Sequence, residues 1–323
     1  MFIGNLQILA IPALIIGILF LYKASDILVK GVSKTAAQIG ISTLIISVLL
    51  VGFGTSAPEF AISVGAAVQK QSDISLGNII GSCIANLLLV LGISSFIRPI
   101  TIKGGIIKRE MPIVLGATII VVAFSMLSLL DEYHLIGGIL FLIFFAVFVW
   151  FFIDCAKKER IKDKPIDTGK TTKNIIFIIL GIAGVVVGAY LLIESAVTIA
   201  YILHISPFVI ALSIVAIGTS LPELVVSAVA AYKDESDIAV GNVLGSNVFN
   251  ILLILGVAAL FIPLGAINSI DDMIILLIIT VIMVPICCTQ NKISRVEGVI
   301  MLIVYGSYIW YIYSGLNFLT PIL

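Results

Sequence analysis

Two short segments hold the residue types most able to do chemistry: Gly54-Thr55-Ser56-Ala57-Pro58-Glu59 and Gly218-Thr219-Ser220-Leu221-Pro222-Glu223. Each puts a carboxylate about two-thirds of the way along an apolar run. An ionised carboxylate in a bilayer interior costs at least ~2.5–3.5 kcal/mol, so it must be protonated, paired or bound to a cation. No Lys or Arg lies deep in the runs beside Glu59 or Glu223. A protonated carboxyl bonded to a neighbouring helix would account for one such residue, but two at matching positions point to a cation. Pro58 and Pro222 lack an N–H and clash with the preceding turn, which predicts a helix break just before each Glu. The carbonyls freed by those breaks lie around Gly52 and Thr55 in one segment and Ala216 and Thr219 in the other. Broken backbone at membrane depth is tolerated where it is buried in protein or lines a cavity. The hydroxyls of Thr55, Ser56, Thr219 and Ser220 sit on the same turns.

The runs that follow supply a second set of oxygens. Ser82 and Asn86 are four apart, as are Ser246 and Asn250, so each pair shares a helix face. Gly77 and Gly81, like Gly241 and Gly245, have the small-xxx-small spacing that lets helix backbones approach closely. Carboxylates, hydroxyls, amides and carbonyls make an all-oxygen cage. Without a thiolate or imidazole, the cage suits the hard cations Ca²⁺, Mg²⁺, Na⁺ and K⁺. Two carboxylates balance one divalent ion. Ca²⁺ accepts six to eight oxygens in flexible geometry, whereas Mg²⁺ tends to keep its waters. The same ligands could instead hold Na⁺, and competition between ions for shared ligands is what an antiporter needs. The residues alone therefore read as a cation antiporter, most naturally for Ca²⁺, with no cofactor.

The elements that position these residues are membrane spans. The chain has 323 residues, 61% hydrophobic and only 11% charged, with zero net charge and a mean hydropathy of +1.26. That excludes a single soluble domain and gives no reason to expect a nucleic-acid partner. Ten apolar runs are visible, near 6–33, 43–68, 74–97, 112–130, 135–153, 174–203, 206–232, 238–263, 272–289 and 297–318. Crossing a bilayer takes about 20 residues, and the runs do not alternate as barrel strands would. The first run has neither the basic start nor the cleavage pattern of a signal peptide, so it is read as a span. With the N-terminus outside, 16 of the 18 Lys and Arg fall in cytoplasmic loops. The positive-inside rule then predicts N-out and C-out.

Shifting the chain by 164 residues lays the two Glu segments on each other, along with Gly77-Asn78-Ile79-Ile80-Gly81-Ser82 and Gly241-Asn242-Val243-Leu244-Gly245-Ser246. Between Gly54 and Gly92, 20 of 39 positions are identical to those of the second copy, a register that generic apolar helices do not produce. Five spans per half is an odd number, so the second copy must enter the membrane from the opposite side. The expected fold is an all-α polytopic membrane protein of ten helices in two inverted five-helix repeats. Residues 1–153 form the first repeat, 154–173 a cytoplasmic linker and 174–323 the second repeat. Inverted repeats of this kind characterise alternating-access transporters, with the site near the midplane.

At these residues the sequence resembles the sodium/calcium exchanger branch of the cation/calcium exchanger superfamily, in its short prokaryotic form. The two Gly-Thr-Ser-x-Pro-Glu motifs, each followed by Gly-Asn-x-x-Gly-Ser, are similar to that family's paired repeats. The resemblance implies that Glu59, Glu223 and the Thr55 and Thr219 carbonyls hold Ca²⁺. It implies that Na⁺ uses Ser56, Ser82, Ser220, Ser246 and the Gly52 and Ala216 carbonyls beside the two Glu, with Asn86 and Asn250 flanking the centre. It also implies residence in a prokaryotic plasma membrane. Some relatives carry Asp where this chain has Asn250, which argues against potassium co-transport. Proton-coupled members carry an acid where this chain has Gly81 and Gly245, which lowers that reading.

The remaining polar residues have ordinary explanations. Asp26 and Lys30 are spaced for an ion pair on a helix surface. Asp73 and Asp237 are read as helix caps, and Trp150 and Trp310 as interfacial anchors in the lipid bilayer. Cys83, Cys155, Cys287, Cys288, His134 and His204 have no metal or disulfide spacing. Three rivals to a Na⁺/Ca²⁺ antiporter are a Ca²⁺/H⁺ antiporter using the same carboxylates, a passive cation channel and an intramembrane enzyme. The enzyme lacks a His-Glu-x-x-His motif.

Overall fold

The computed structural model describes residues 10–102, 109–162, 171–202, 218–288 and 291–314. In chain order the helices are α1 (Ala10–Ile39), α2 (Thr43–Thr55), α3 (Ala57–Val68), α4 (Ser72–Ile97), α5 (Met111–Met126) and α6 (His134–Lys162). They continue as α7 (Thr171–Ile202), α8 (Leu221–Tyr232), α9 (Ser236–Ala259), α10 (Ile270–Cys288) and α11 (Arg295–Ser314). Among the described residues seven helices are long and apolar enough to cross a membrane, and α2 with α3 makes an eighth, bent by 48°. The shorter apolar helices α5 and α8 account for the other two runs. Each of the ten apolar runs thus carries helix, although much of the seventh, residues 203–217, lies outside the described residues, as do residues 163–170 of the linker.

Burial sorts the helices. α4 and α9 are covered by protein almost throughout, whereas α1, α6, α7 and α11 leave most of their surface on the outside. Those outer faces are apolar, with Ile15, Leu19, Ile139, Ile143, Ile179, Leu180, Ile303 and Trp310 exposed. A helix that is hydrophobic all round fits a lipid surrounding. α1 and α7 lie against each other through small residues. A Cβ at Gly181 would meet Leu28 Cβ at 2.7 Å, and one at Gly188 would meet Leu21 Cα at 3.0 Å. Gly52, Gly241 and Gly245 bring α2 against α9 in the same way: a Cβ on Gly245 would lie 2.5 Å from the Val48 carbonyl oxygen.

The helix ends are tied by charge and by one small ribbon. The Asp26–Lys30 pair forms at 2.7 Å as its spacing predicts, and Asp26 also pairs with Lys233, joining α1 to the end of α8. Arg98 meets Asp234 at 2.7 Å. Arg109 contacts Glu110 at 2.5 Å and Glu159 at 3.3 Å. Strands β1 (Ile100–Thr101) and β2 (Lys292–Ile293) pair antiparallel, which had no sequence signal. The cap reading is corrected. Gln71 and Glu235 occupy the N-cap positions of α4 and α9, neither with a side-chain cap, and Asp73 and Asp237 lie in the first turn. There negative charge complements the helix dipole, and Asp237 accepts a hydrogen bond from Thr43 Oγ1 at 3.3 Å.

Candidate functional site

The bend between α2 and α3 falls at Ser56, and the short break before α8 falls at Ser220. Both serines have matching backbone angles, φ −78° and ψ 7° against φ −85° and ψ 6°. Pro58 and Pro222 sit in the first turn of the helices that follow, where a missing N–H is harmless. This geometry turns Glu59 and Glu223 into the protein interior, both fully buried.

Each Glu is braced from its own half in the same way. Asn78 Nδ2 donates to Ser63 Oγ at 2.8 Å and approaches the Glu59 carbonyl at 3.5 Å. Asn242 Nδ2 donates to Ser227 Oγ at 3.0 Å and to the Glu223 carbonyl at 3.2 Å. All three residues of one brace are 164 positions from those of the other, so the sequence repeat is also a repeat of contacts. Asn242 Oδ1 accepts from Thr55 Oγ1 at 3.0 Å as well. Replacing Asn242 by Ala strands these buried partners. It is expected to destabilise the protein by about 1–3 kcal/mol, measurable as a lower thermal unfolding midpoint in detergent.

The expected site residues from the two halves interlock. Ser56 Oγ donates to Glu223 Oε1 at 3.1 Å. Ser246 Oγ lies 3.2 Å from both Glu223 Oε1 and the Gly52 carbonyl, and its single proton can serve one of them. Thr55 Oγ1 is 3.4 Å from Ser246 Oγ and 3.1 Å from the Val51 carbonyl. Gly52's carbonyl is not freed as its position relative to Pro58 suggested, because Ser56 N donates to it at 3.1 Å. Ser82 and Asn86 on α4 are buried, as is Asn250 on α9. Thr219 and Ser220 are buried at the head of α8. Ala216 lies outside the described residues.

The interlocked groups include several buried acceptors that no donor satisfies. Both oxygens of Glu59, Oε2 of Glu223, Oδ1 of Asn86, both ends of the Asn250 amide and the hydroxyls of Thr219 and Ser220 are buried without a well-formed hydrogen bond, although the Ser220 hydroxyl lies near Glu59 and the Cys83 thiol near Asn250. No described salt bridge reaches either Glu. Buried polar groups are nearly always satisfied, so a cluster of orphaned oxygens marks a place for a positively charged ligand.

Three features near the site had been missed. Asn242 and Asn247 contribute buried amides to it. The helices also widen to π geometry at Ser47–Val51, Asn86–Val90 and Phe249–Ile254. Such segments are frequent at functional sites, and the last two contain the repeat-related Asn86 and Asn250. The equivalent Asn78/Ser63 and Asn242/Ser227 pairs were available as a signal, since both pairs are identical between the copies.

A helical fold of many apolar spans around buried, unpaired carboxylates defines a membrane transporter. The sequence profile of the sodium/calcium exchanger protein family matches residues 9–153 and 173–314. The chain belongs to this family of exchangers. It is 34% identical to the inner membrane protein YrbG of Escherichia coli K12, over 98% of this chain and 99% of that one. It is 31% identical to the sodium/calcium exchanger MaX1 of Methanosarcina acetivorans, over 92% and 96%. Among solved structures it is similar to the sodium-calcium exchanger NCX_Mj soaked with Na⁺ and Ca²⁺, with a TM-score of 0.82 and 32% identity over 96% of this chain and 99% of that one.

Proposed function

We propose that the protein is a secondary active antiporter that exchanges Na⁺ for Ca²⁺ by alternating access, with both ions competing for ligands around Glu59 and Glu223. The cluster of buried, unpartnered oxygens on these carboxylates and their neighbours carries the reading. Ca²⁺ would take Glu59 and Glu223 with the Thr55 and Thr219 carbonyls. Na⁺ would take Ser56, Ser82, Ser220, Ser246 and the carbonyls of Gly52 and Ala216 beside the same Glu pair, with Asn86 and Asn250 at the centre. The likeness to a sodium-calcium exchanger structure supports the choice of ions.

In this reading ten helices form two inverted repeats, 1–153 and 174–323, joined by the cytoplasmic segment 154–173. Both termini lie outside, in a prokaryotic plasma membrane. The pairs Asp26–Lys233, Arg98–Asp234 and Arg109–Glu159 then all fall on the cytoplasmic side. The sodium gradient would drive Ca²⁺ outward.

Ca²⁺ uptake into Na⁺-loaded proteoliposomes diluted into Na⁺-free medium tests the proposal. Uptake that requires internal Na⁺ and persists with a protonophore is expected. Uptake that ignores Na⁺ and follows a pH gradient would make the protein a Ca²⁺/H⁺ antiporter, and uptake without coupling to either ion would make it a channel.

A further inference from the structure

Asn247 stands next to Ser246 on α9, is almost completely buried, and has both ends of its amide engaged. Its Nδ2 donates to the Cys83 main-chain carbonyl at 3.2 Å, and its Oδ1 accepts from Asn86 Nδ2 at 3.1 Å. The first bond determines the second. A main-chain carbonyl can only accept, so the nitrogen of Asn247 must face Cys83 and its oxygen must face Asn86. Asn86 must then turn its NH₂ toward Asn247, which leaves its own Oδ1 buried with no hydrogen-bond partner among the described residues. The direction of the Asn86 carbonyl is thereby traced to a main-chain atom. A flipped Asn86 amide would offer two N–H groups to a cation, which repel it.

The other central amide meets a thiol in place of an amide. The residue 164 positions before Asn247 is Cys83, whose side chain carries no amide. Asn250, the repeat mate of Asn86, has the Cys83 thiol beside it and no well-formed hydrogen bond at either end of its amide. The contact recurs only in weaker form on the other side, where the Cys83 Sγ lies 3.9 Å from the Asn247 main-chain carbonyl, and a thiol, a weak donor and a weak acceptor, does not fix the direction of an amide.

We propose that Asn247 is a positioning residue for cation binding, holding the Asn86 amide so that its carbonyl oxygen, and not its NH₂, is offered to the ion. This rests on Asn86 being a cation ligand, as in the function proposed above. Asn247 itself need not touch the ion.

The test is initial Ca²⁺ uptake against external Ca²⁺ in proteoliposomes, driven by internal Na⁺ or, if the wild type needs it, by a pH gradient. Asn247→Ala is expected to raise the Ca²⁺ KM about threefold to tenfold, the size of one net hydrogen bond, with the maximal rate nearly unchanged. In an Asn86→Ala background the same change should have no further effect on KM, because no amide remains to be oriented. A wild-type KM in Asn247→Ala, or independent factors that multiply in the double variant, would overturn the inference. If Asn247→Ala does not fold, Asn247→Asp keeps the acceptor facing Asn86 and should show a KM no higher than wild type; a raised KM would count against the proposal. Asn86→Ala alone separates the two levels. If it leaves KM unchanged, the reading of the cation site fails. If it raises KM while Asn247→Ala does not, only the positioning role fails.

Discussion

Na⁺-driven Ca²⁺ uptake is expected to fall by about 100-fold or more in both Glu59→Gln and Glu223→Gln, with the opposing Na⁺ flux lost alongside it. Gln keeps the volume and one acceptor oxygen of each side chain and removes only the charge. A unit charge attracts a divalent ion in contact with it by about 10 kcal/mol even at an effective dielectric constant near 20. Desolvation offsets most of that, but a net loss of about 3 kcal/mol already gives the stated factor. The two variants should differ when no ion is present. Glu223 Oε1 is held by the Ser56 and Ser246 hydroxyls, and a Gln oxygen could keep both contacts. Glu59 has the Ser220 hydroxyl near it but no well-formed hydrogen bond at either oxygen, so Glu59→Gln relieves a buried carboxylate and should raise the unfolding temperature in chelator. Ca²⁺ should no longer stabilise either variant, since only binding to the native state shifts the unfolding equilibrium. Thermal unfolding with and without Ca²⁺, measured beside transport, checks both statements. Wild-type exchange in both variants would remove the carboxylates from the mechanism.

The other large effect is expected from Gly245→Ala. The added Cβ would lie 2.5 Å from the Val48 carbonyl oxygen and 2.9 Å from Val48 Cα. These are main-chain atoms of α2 and cannot rotate away, so the helices must separate. Overpacking of this kind costs about 1–3 kcal/mol in a close-packed interior. Here the separation also pulls Ser246 from the Gly52 carbonyl, a 3.2 Å contact one residue along. Loss of nearly all transport is expected, together with a lower yield of folded protein. Gly306→Ala, on an exposed face of α11 with nothing within 4 Å of its Cβ, is the control that should behave as wild type. Full activity in Gly245→Ala would mean that the contact between α2 and α9 is not needed for transport.

Much of this site was legible because the chain contains two copies of it. Comparing Glu59 with Glu223 and Ser82 with Ser246 separated polar residues that recur from those that do not, and long apolar runs became helices where composition required them. Legibility failed where structure depends on three-dimensional neighbours. The carbonyl of Gly52 was expected to be free, yet a backbone N–H from the same bend and a hydroxyl from α9 both reach it. Asp73 and Asp237 read as caps in the sequence because cap and first-turn positions differ by one or two residues, a distinction that periodicity does not resolve. π geometry at Asn86–Val90 and Phe249–Ile254 leaves no mark on hydropathy. Asn247 escaped for the opposite reason to Asn242: its repeat mate is Cys83, so comparison of the copies hides it.

The hydrogen bond from the Ser56 hydroxyl to the Glu223 carboxylate, and that from the Asn86 amide to the Asn247 amide, each join one half of the chain to the other. Neither half owns a complete site. In the inverted-repeat reading proposed above, each half acts as a subunit, and the segment between them makes the pair a permanent heterodimer. Identical subunits must carry the same residue at both equivalent positions. Fusion lifts that constraint, and Cys83 facing Asn247 is a difference that only a fused pair can keep. In that reading the single chain is what allows a repeated scaffold to hold an unsymmetrical interior.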